Sequence, residues 1–301
     1  MIKQKDYQMH KNLNKSFSQI LKYCVNREQF KGKDISKSHL YSLISEILKI
    51  EKVKLFTDSK KEINFKTEKQ ILKKFFFLIN SKPLSRILGK KEFFSRDFFI
   101  NKYTLDPRPD TETLVEIVVK LLMQKKKKNI KALELGSGSG CVISSIAMEL
   151  KKYRTDFNIT GIDICENANK IAIKNVKNQG ITDYVKILKS NWFSCLSEKF
   201  DLIYTNPPYI STGLIPTLDS AILFDPRIAL DGGFDGLSCF REISKKLDLF
   251  MNPDSYFCTE IGHTQDESVK KIFKMKSLHF YKSYRDLEGR ERCLVFHKKK
   301  V

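Results

Sequence analysis

Apolar residues recur at helical spacing through the first part of the chain. Leu13, Phe17, Ile20, Leu21 and Cys24 fall on one face of a 3.6-residue period. So do Leu40, Leu43, Ile44, Ile47 and Leu48, and again Ile71, Leu72, Phe75, Phe76 and Ile79. Thr67 and Gln70 stand in capping-box register ahead of the third group. The pattern predicts a small helical domain over residues 1–85, with Pro83 and Gly89 marking its exit. Residues 86–115 read as a linker, and "EFFSRDFFI" (92–100) within it as a strand or hairpin.

Beyond residue 130 the periodicity changes. Apolar strands at 131–135, 158–163, 184–188, 200–205 and 255–261 alternate with helical patterns at 141–151, 166–178, 236–250 and 265–275. Such alternation predicts an α/β domain over 116–301, with a mostly parallel sheet wound on both faces. Segments 279–285 and 292–297 have no helix between them and are expected to form an antiparallel hairpin at the sheet edge. No internal repeat interrupts the pattern.

Three glycines, Gly136, Gly138 and Gly140, close the first of these strands in "ELGSGSG", with Ser137 and Ser139 between them, and a helix follows. Such a loop lets a ligand approach the backbone and meet a helix N-terminus. A dinucleotide fingerprint would put its last glycine where Cys141 stands, and no Gly-Lys-Ser/Thr follows for a P-loop. The spacing instead resembles the cofactor loop of methyltransferases that use S-adenosylmethionine. Asp163 ends the second strand; a carboxylate there can accept both ribose hydroxyls, or it can cap the helix that "DICEN" begins. Trp192, the single tryptophan, follows the third strand beside Asn191. It can pack in the core or lie against a cofactor ring, whose edge Asn191 would bond.

The fourth strand runs into "NPPY". Two consecutive prolines cannot continue an interior strand, so a stiff turn follows. In an open α/β sheet ligands gather at the carboxyl ends of the strands. The turn would there do more than change direction. A planar amide or aromatic amine is a poor nucleophile because its lone pair is delocalised. Acceptors aimed at both its N–H bonds place the nitrogen in line and offset the charge developing on it. The Asn206 side-chain oxygen and the Pro207 carbonyl are candidates for those acceptors, with Tyr209 to stack on the flat group.

These motifs are joined by "PLSRILGKKEFF" (83–94), "LDPRPDTETLVE" (105–116), "NWF" (191–193) and "FDPRIALDGGFDGL" (224–237). Together they resemble the family of glutamine methyltransferases that modify bacterial peptide chain release factors, over residues 83–297. The resemblance implies a Rossmann-like class I methyltransferase domain preceded by a small helical substrate-recognition domain. It implies S-adenosylmethionine as cofactor and transfer of its methyl group to N5 of the glutamine in the Gly-Gly-Gln loop of a class I release factor. The residues implied at the cofactor are Gly136, Ser137, Gly138, Ser139, Gly140, Asp163, Asn191, Trp192 and Asn206. Asn206, Pro207, Pro208 and Tyr209 would hold the glutamine, with Asn206, Pro207 and Tyr209 catalytic. Arg108 and Glu112 would lie near a cleft between domains, as an ion-paired linker or in contact with substrate. The family usually carries Asp where Asn191 stands; Asn still offers adenine an acceptor. Siblings that methylate a ribosomal-protein glutamine, and adenine methyltransferases of nucleic acid, share Asn-Pro-Pro-Tyr. A ribosome- or RNA-binding protein with an inactive cofactor fold is the reading from a different class.

Composition narrows the setting. The chain has 301 residues, 41% of them hydrophobic, enough for a real core. No run of about 18 apolar residues predicts a membrane span, and the polar start argues against a secretory signal. Seven scattered cysteines and five scattered histidines, none in a ligand-type pair, fit a cytoplasmic protein with reduced thiols and no metal centre. The formal charge of +20 suits a nucleic-acid or ribosomal partner, or reflects abundant solvated lysine; direct contact with nucleic acid stays open.

Overall fold

A computed structural model describes residues 15–25, 36–286 and 288–299. Leu13, assigned above to the first helix, lies outside them. The chain divides into two compact units, Met1–Leu88 and Gly89–Val301.

The first unit is helical: α1 (Phe17–Val25), α2 (Lys37–Leu48), the single turn α3 (Lys54–Thr57), α4 (Phe65–Ile79) and α5 (Leu84–Leu88). A two-residue pairing of β1 (Lys15–Ser16) with β2 (Glu62–Ile63) ties its start to its middle. The apolar faces read from the sequence meet in one core, with Leu40, Leu43, Ile71 and Phe75 fully buried. Helix α4 departs from the expected start. Asn64, not Thr67, is its N-cap: the Asn64 side chain accepts from the Thr67 N–H at 2.9 Å. Asparagine caps at least as well as threonine, so the helix begins a turn earlier and takes Thr67 and Gln70 inside.

The second unit opens with a hairpin of β3 (Lys90–Phe93) and β4 (Arg96–Phe99), turned by Phe94 and Ser95 in the left-handed region. Helix α6 (Glu112–Gln124) leads into a seven-stranded sheet. Its strands are β5 (Ile130–Leu135), β6 (Phe157–Asp163), β7 (Val185–Lys189), β8 (Phe200–Thr205), β9 (Met251–Glu260), β10 (Leu278–Arg285) and β11 (Glu291–Lys298). They lie in the order β10-β11-β9-β8-β5-β6-β7. Strands β5 to β9 are parallel, and β10–β11 is the antiparallel edge hairpin. Helices α7 (Cys141–Lys151) and α8 (Glu166–Asn178) join α6 on one face; α9 (Ser238–Ser244) and α10 (Asp266–Ile272) cover the other. Side chains alternate between the two cores as a pleat requires: Leu202 and Tyr204 face the first, Ile203 the second.

Parallel register brings the strand ends level. Leu135 pairs with both Ile162 and Thr205. The chain leaving β5 is then held by its neighbours: Gly136 and Ser137 donate to the Ile162 carbonyl at 2.8 and 2.9 Å, and Thr205 Oγ1 donates to the Leu135 carbonyl at 2.7 Å. Asn175 of α8 locks the far end of the glycine loop. Fully buried, it donates to the carbonyls of Ser139 and Phe99, each at 2.8 Å, and accepts from the Phe99 N–H at 2.8 Å. One side chain thereby joins the loop, α8 and the hairpin. Its removal strands buried backbone groups at about 1–3 kcal/mol each. Asn175→Ala is expected to lower the unfolding free energy by at least about 3 kcal/mol in a urea titration; a loss below about 1 kcal/mol would show that those groups find other partners.

Candidate active site

A cavity of about 620 Å³ opens at the carboxyl ends of β5, β6 and β8, within the range of small-molecule sites. Gly136 to Ser139, Asp163, Asn191, Trp192, Asn206 and Pro208 all line it. Gly136 and Gly138 have φ of +78° and +53°, and a Cβ on either would meet no protein atom within 4 Å. They leave backbone bare toward open space. Gly140 differs: its Cβ would stand 3.0 Å from Ala172, so it serves the packing of α7 on α8 and is not in the cavity wall. Asp163 Oδ2 accepts from the Gly138 N–H at 2.9 Å, and Oδ1 from the Cys165 N–H at 2.8 Å. Burial raises its pKa and those two donors oppose the rise. Cys165 is itself the N-cap of α8, so Asp163 shapes the approach to the helix. Each oxygen keeps a second lone pair. Trp192 holds a left-handed φ of 47°, uncommon for a bulky residue. Its carbonyl accepts from Ser190 Oγ at 2.8 Å.

Asn206 enters the wall from the end of β8. Its Nδ2 donates to Thr111 Oγ1 at 3.1 Å, which leaves Oδ1 as the acceptor offered to the cavity. Pro207 and Tyr209 are not in the wall. Tyr209 points its hydroxyl at Glu260 Oε1, 3.1 Å away, and packs its ring on the second core; burial and the Glu260 charge push its pKa up. The backbone after the prolines is gripped by the following loop. Ile210 N–H donates to Leu230, Gly232 N–H donates to Ile210, and Gln265 Nε2 donates to the Tyr209 carbonyl at 3.0 Å. Arg108 lines the cavity in an ion pair with Asp225, whose Oδ1 also accepts from the Asp106 N–H at 3.1 Å. Glu112 is outside the wall and accepts from the Phe94 N–H at 2.8 Å, bracing the hairpin turn.

Residues 111–221 match the family model described as Methyltransferase small domain. A release factor glutamine methyltransferase of Agrobacterium fabrum is 36% identical over 217 residues, covering 71% of this chain and 74% of that protein. One from Buchnera aphidicola is 37% identical over 217 residues, covering 72% and 76%. The chain belongs to the release factor glutamine methyltransferase family. It also matches a bifunctional methyltransferase of Rickettsia felis, 35% identical over 245 residues and 72% of this chain; there the chain spans 46% of the relative's length. The catalytic domain of hMettl16, solved in complex with a MAT2A 3'UTR hairpin, shares the fold at a TM-score of 0.53 and 13% identity, covering 92% of this chain and 95% of that one. The sheet is thus that of a class I methyltransferase.

Three residues of the site escaped the sequence reading. Glu134 is buried in β5 and lines the cavity; its Oε2 has no hydrogen-bond partner, and desolvation, with the nearby Asp163 charge, raises its pKa well above the usual range. Glu260 ends β9, fully buried, and Thr111 precedes α6. An acidic residue near the carboxyl end of an otherwise apolar parallel strand, as in "KALEL" and "FCTE", is the signal that would have found the two glutamates. Among the described residues no group of His, Cys, Asp or Glu is arranged to hold a metal ion.

Two glycines of "DGGFDG", Gly232 and Gly236, lie against the Asn-Pro-Pro-Tyr backbone. A Cβ on Gly232 would fall 2.8 Å from the Pro208 carbonyl oxygen, and one on Gly236, at φ +76°, would overlap the Tyr209 carbonyl. Gly236→Ala is expected to cost more than the roughly 1–2 kcal/mol of a left-handed alanine, because backbone must also move. Denaturant titration measures it, and a cost below about 1 kcal/mol would show that the two loops are not in register-fixing contact.

Proposed function

We propose that this chain transfers the methyl group of S-adenosylmethionine to N5 of the glutamine in the Gly-Gly-Gln loop of class I peptide chain release factors. The observation that carries the reading is the orientation of Asn206. Thr111 holds one N–H of Nδ2, and that bond sets the amide with its oxygen as the acceptor offered to a ligand. The Pro207 carbonyl receives no hydrogen bond from any described residue and is the second acceptor. A glutamine amide has two N–H bonds to match them.

The cavity suits the cofactor. Bare backbone at Gly136 and Gly138 leaves room for a ligand chain, the spare lone pairs of Asp163 suit a pair of ribose hydroxyls, and Trp192 with Asn191 would flank adenine. The orphaned Glu134 Oε2 suits an ammonium, which would also keep that carboxylate ionised. When bound, the cofactor supplies an electrophilic methyl group on a sulfonium. The rest falls to the chain. Asn206 and Pro207 fix the amide nitrogen in line and spread the positive charge it acquires. Tyr209, tied at its hydroxyl, keeps the motif from swinging. The nitrogen gains a methyl and gives up one proton after transfer, so no general base is required.

A protein substrate is further supported by the segment between β8 and α9. It carries Leu214, Leu223, Ile228 and Phe234 exposed, the last at 96%, a larger apolar display than a small substrate needs. Two glycines ahead of the glutamine would let a loop enter a narrow slot without side-chain clashes, and the helical first unit would hold the release factor elsewhere. A cytoplasmic setting follows from that partner.

Purified protein offered S-adenosylhomocysteine in a calorimeter should bind it, and Asp163→Ala should bind at least about tenfold more weakly, having lost two hydrogen bonds to a charged acceptor. Unchanged affinity would remove the ribose assignment. In a labelled-methyl assay, label should enter an intact release factor and not its Gln→Ala loop variant. Asn206→Ala should lower kcat by about 10²–10³, the loss typical of one oriented hydrogen-bonding group at a reacting centre. Label in nucleic acid would overturn the glutamine reading; label in a ribosomal protein alone would move the assignment to the sibling activity.

A further inference from the structure

The two ends of Asn-Pro-Pro-Tyr converge on one carboxylate behind the cavity wall. Tyr209 donates to Glu260 Oε1 directly. Asn206 donates to Thr111, and the Thr111 side chain is near enough to Glu260 to oppose the effect of its burial. Glu260 and Thr111 are 1% and 4% exposed, and Oε2 of Glu260 is buried without a hydrogen-bond partner, an acceptor available to a neighbouring hydroxyl. A hydroxyl has one proton to give. When Glu260 is ionised, that proton turns to the carboxylate, the Thr111 oxygen accepts, and Asn206 must offer its NH₂. When Glu260 is protonated it can donate to Thr111. The Thr111 proton then turns to Asn206, and the amide is equally well satisfied the other way round, with NH₂ toward the cavity.

We propose that Glu260 is a positioning residue: through the Thr111 hydroxyl its carboxylate sets which end of the Asn206 amide faces the substrate nitrogen. This rests on the glutamine-methylating reading above. The groups facing Glu260 are Tyr209 on the motif, Thr111 and Asp110 ahead of α6, and Arg292 and Cys293 on β11. Arg292, paired with Asp110 and Asp286, favours the ion; Asp110 disfavours it. The balance leaves burial dominant, which pushes the Glu260 carboxyl up to about 7.

The sign follows. The acceptor-forward amide needs the carboxylate, so kcat should fall as pH drops through about 7. Glu260→Gln keeps the shape but offers Thr111 a donor. Its kcat should fall by at least about tenfold with KM for the release factor changed less than about threefold, and the acidic limb should vanish. Thr111→Val should lose as much, Thr111→Ser should recover most of that loss, and Thr111→Val with Glu260→Gln together should be no worse than either alone. An independent readout needs no turnover. In the free protein the Asn206 side-chain amide resonance, assigned by its absence in Asn206→Ala, should titrate with the acidic limb and become flat in Glu260→Gln. Should Glu260→Gln not fold, Thr111→Val must abolish the same titration. A folded Glu260→Gln that keeps wild-type kcat and limb, or an Asn206 resonance indifferent to pH, overturns the proposal. A titrating amide in an enzyme that leaves release factors unlabelled overturns the substrate reading and not the relay.

Discussion

Two adjacent residues without a backbone N–H govern how this site is built. Pro207 and Pro208 remove two ladder donors where β8 ends, so the sheet cannot hold the segment that follows. The chain holds it by other means. Side chains fix its two ends, Asn206 on Thr111 and Tyr209 on Glu260, and Gly232 and Gly236 of the following loop close on its backbone. Stiffness comes from the prolines and placement from their neighbours. The Pro207 carbonyl accepts no hydrogen bond from any described residue.

The same strand ends gather carboxylates that are wholly or partly buried. Glu134 on β5, Asp163 on β6 and Glu260 on β9 all have pKa values raised chiefly by desolvation. Burial of three acids is costly unless each has a use. They are supported unequally. Asp163 takes two backbone N–H groups, Glu260 has a tyrosine and a nearby arginine, and Glu134, in the cavity wall, keeps one buried oxygen without a partner. The least supported, Glu134, lines the ligand space beside Asp163. Such placement keeps free energy available for binding a cation there.

Much of this was legible in the sequence because period and punctuation agreed. The strands ending at 135, 163 and 205 and the helices after the first two were readable from alternation and glycines, and with them the convergence of the loop, Asp163 and Asn206. The start of α4 was misread because Asn64 and Thr67 both suit a cap, and only the extended backbone at Asn64 decides between them. Gly140 looked like its two neighbours in the motif, yet faces a helix; a glycine's reason lies in what its missing Cβ would touch. Thr111 and Asn206 are 95 residues apart, and Glu260 lies further still along the chain. No local pattern links residues that meet only when parallel strands end side by side.

The edge hairpin adds a matter of timing. Strand β11, last in sequence, is not last in the sheet: it lies between β9 and β10, and β10 reaches the sheet only through it. Six consecutive residues of β9, from Ser255 to Glu260, pair with β11. A ribosome delivers the chain from its N-terminus. Until residue 298 has emerged, β9 therefore shows an apolar, unpaired edge, the kind of template on which strands of other chains add. The nascent protein passes through that state with "YFCTE" bare on one side, and the carboxylate behind the motif gains its arginine only when the last strand slides home.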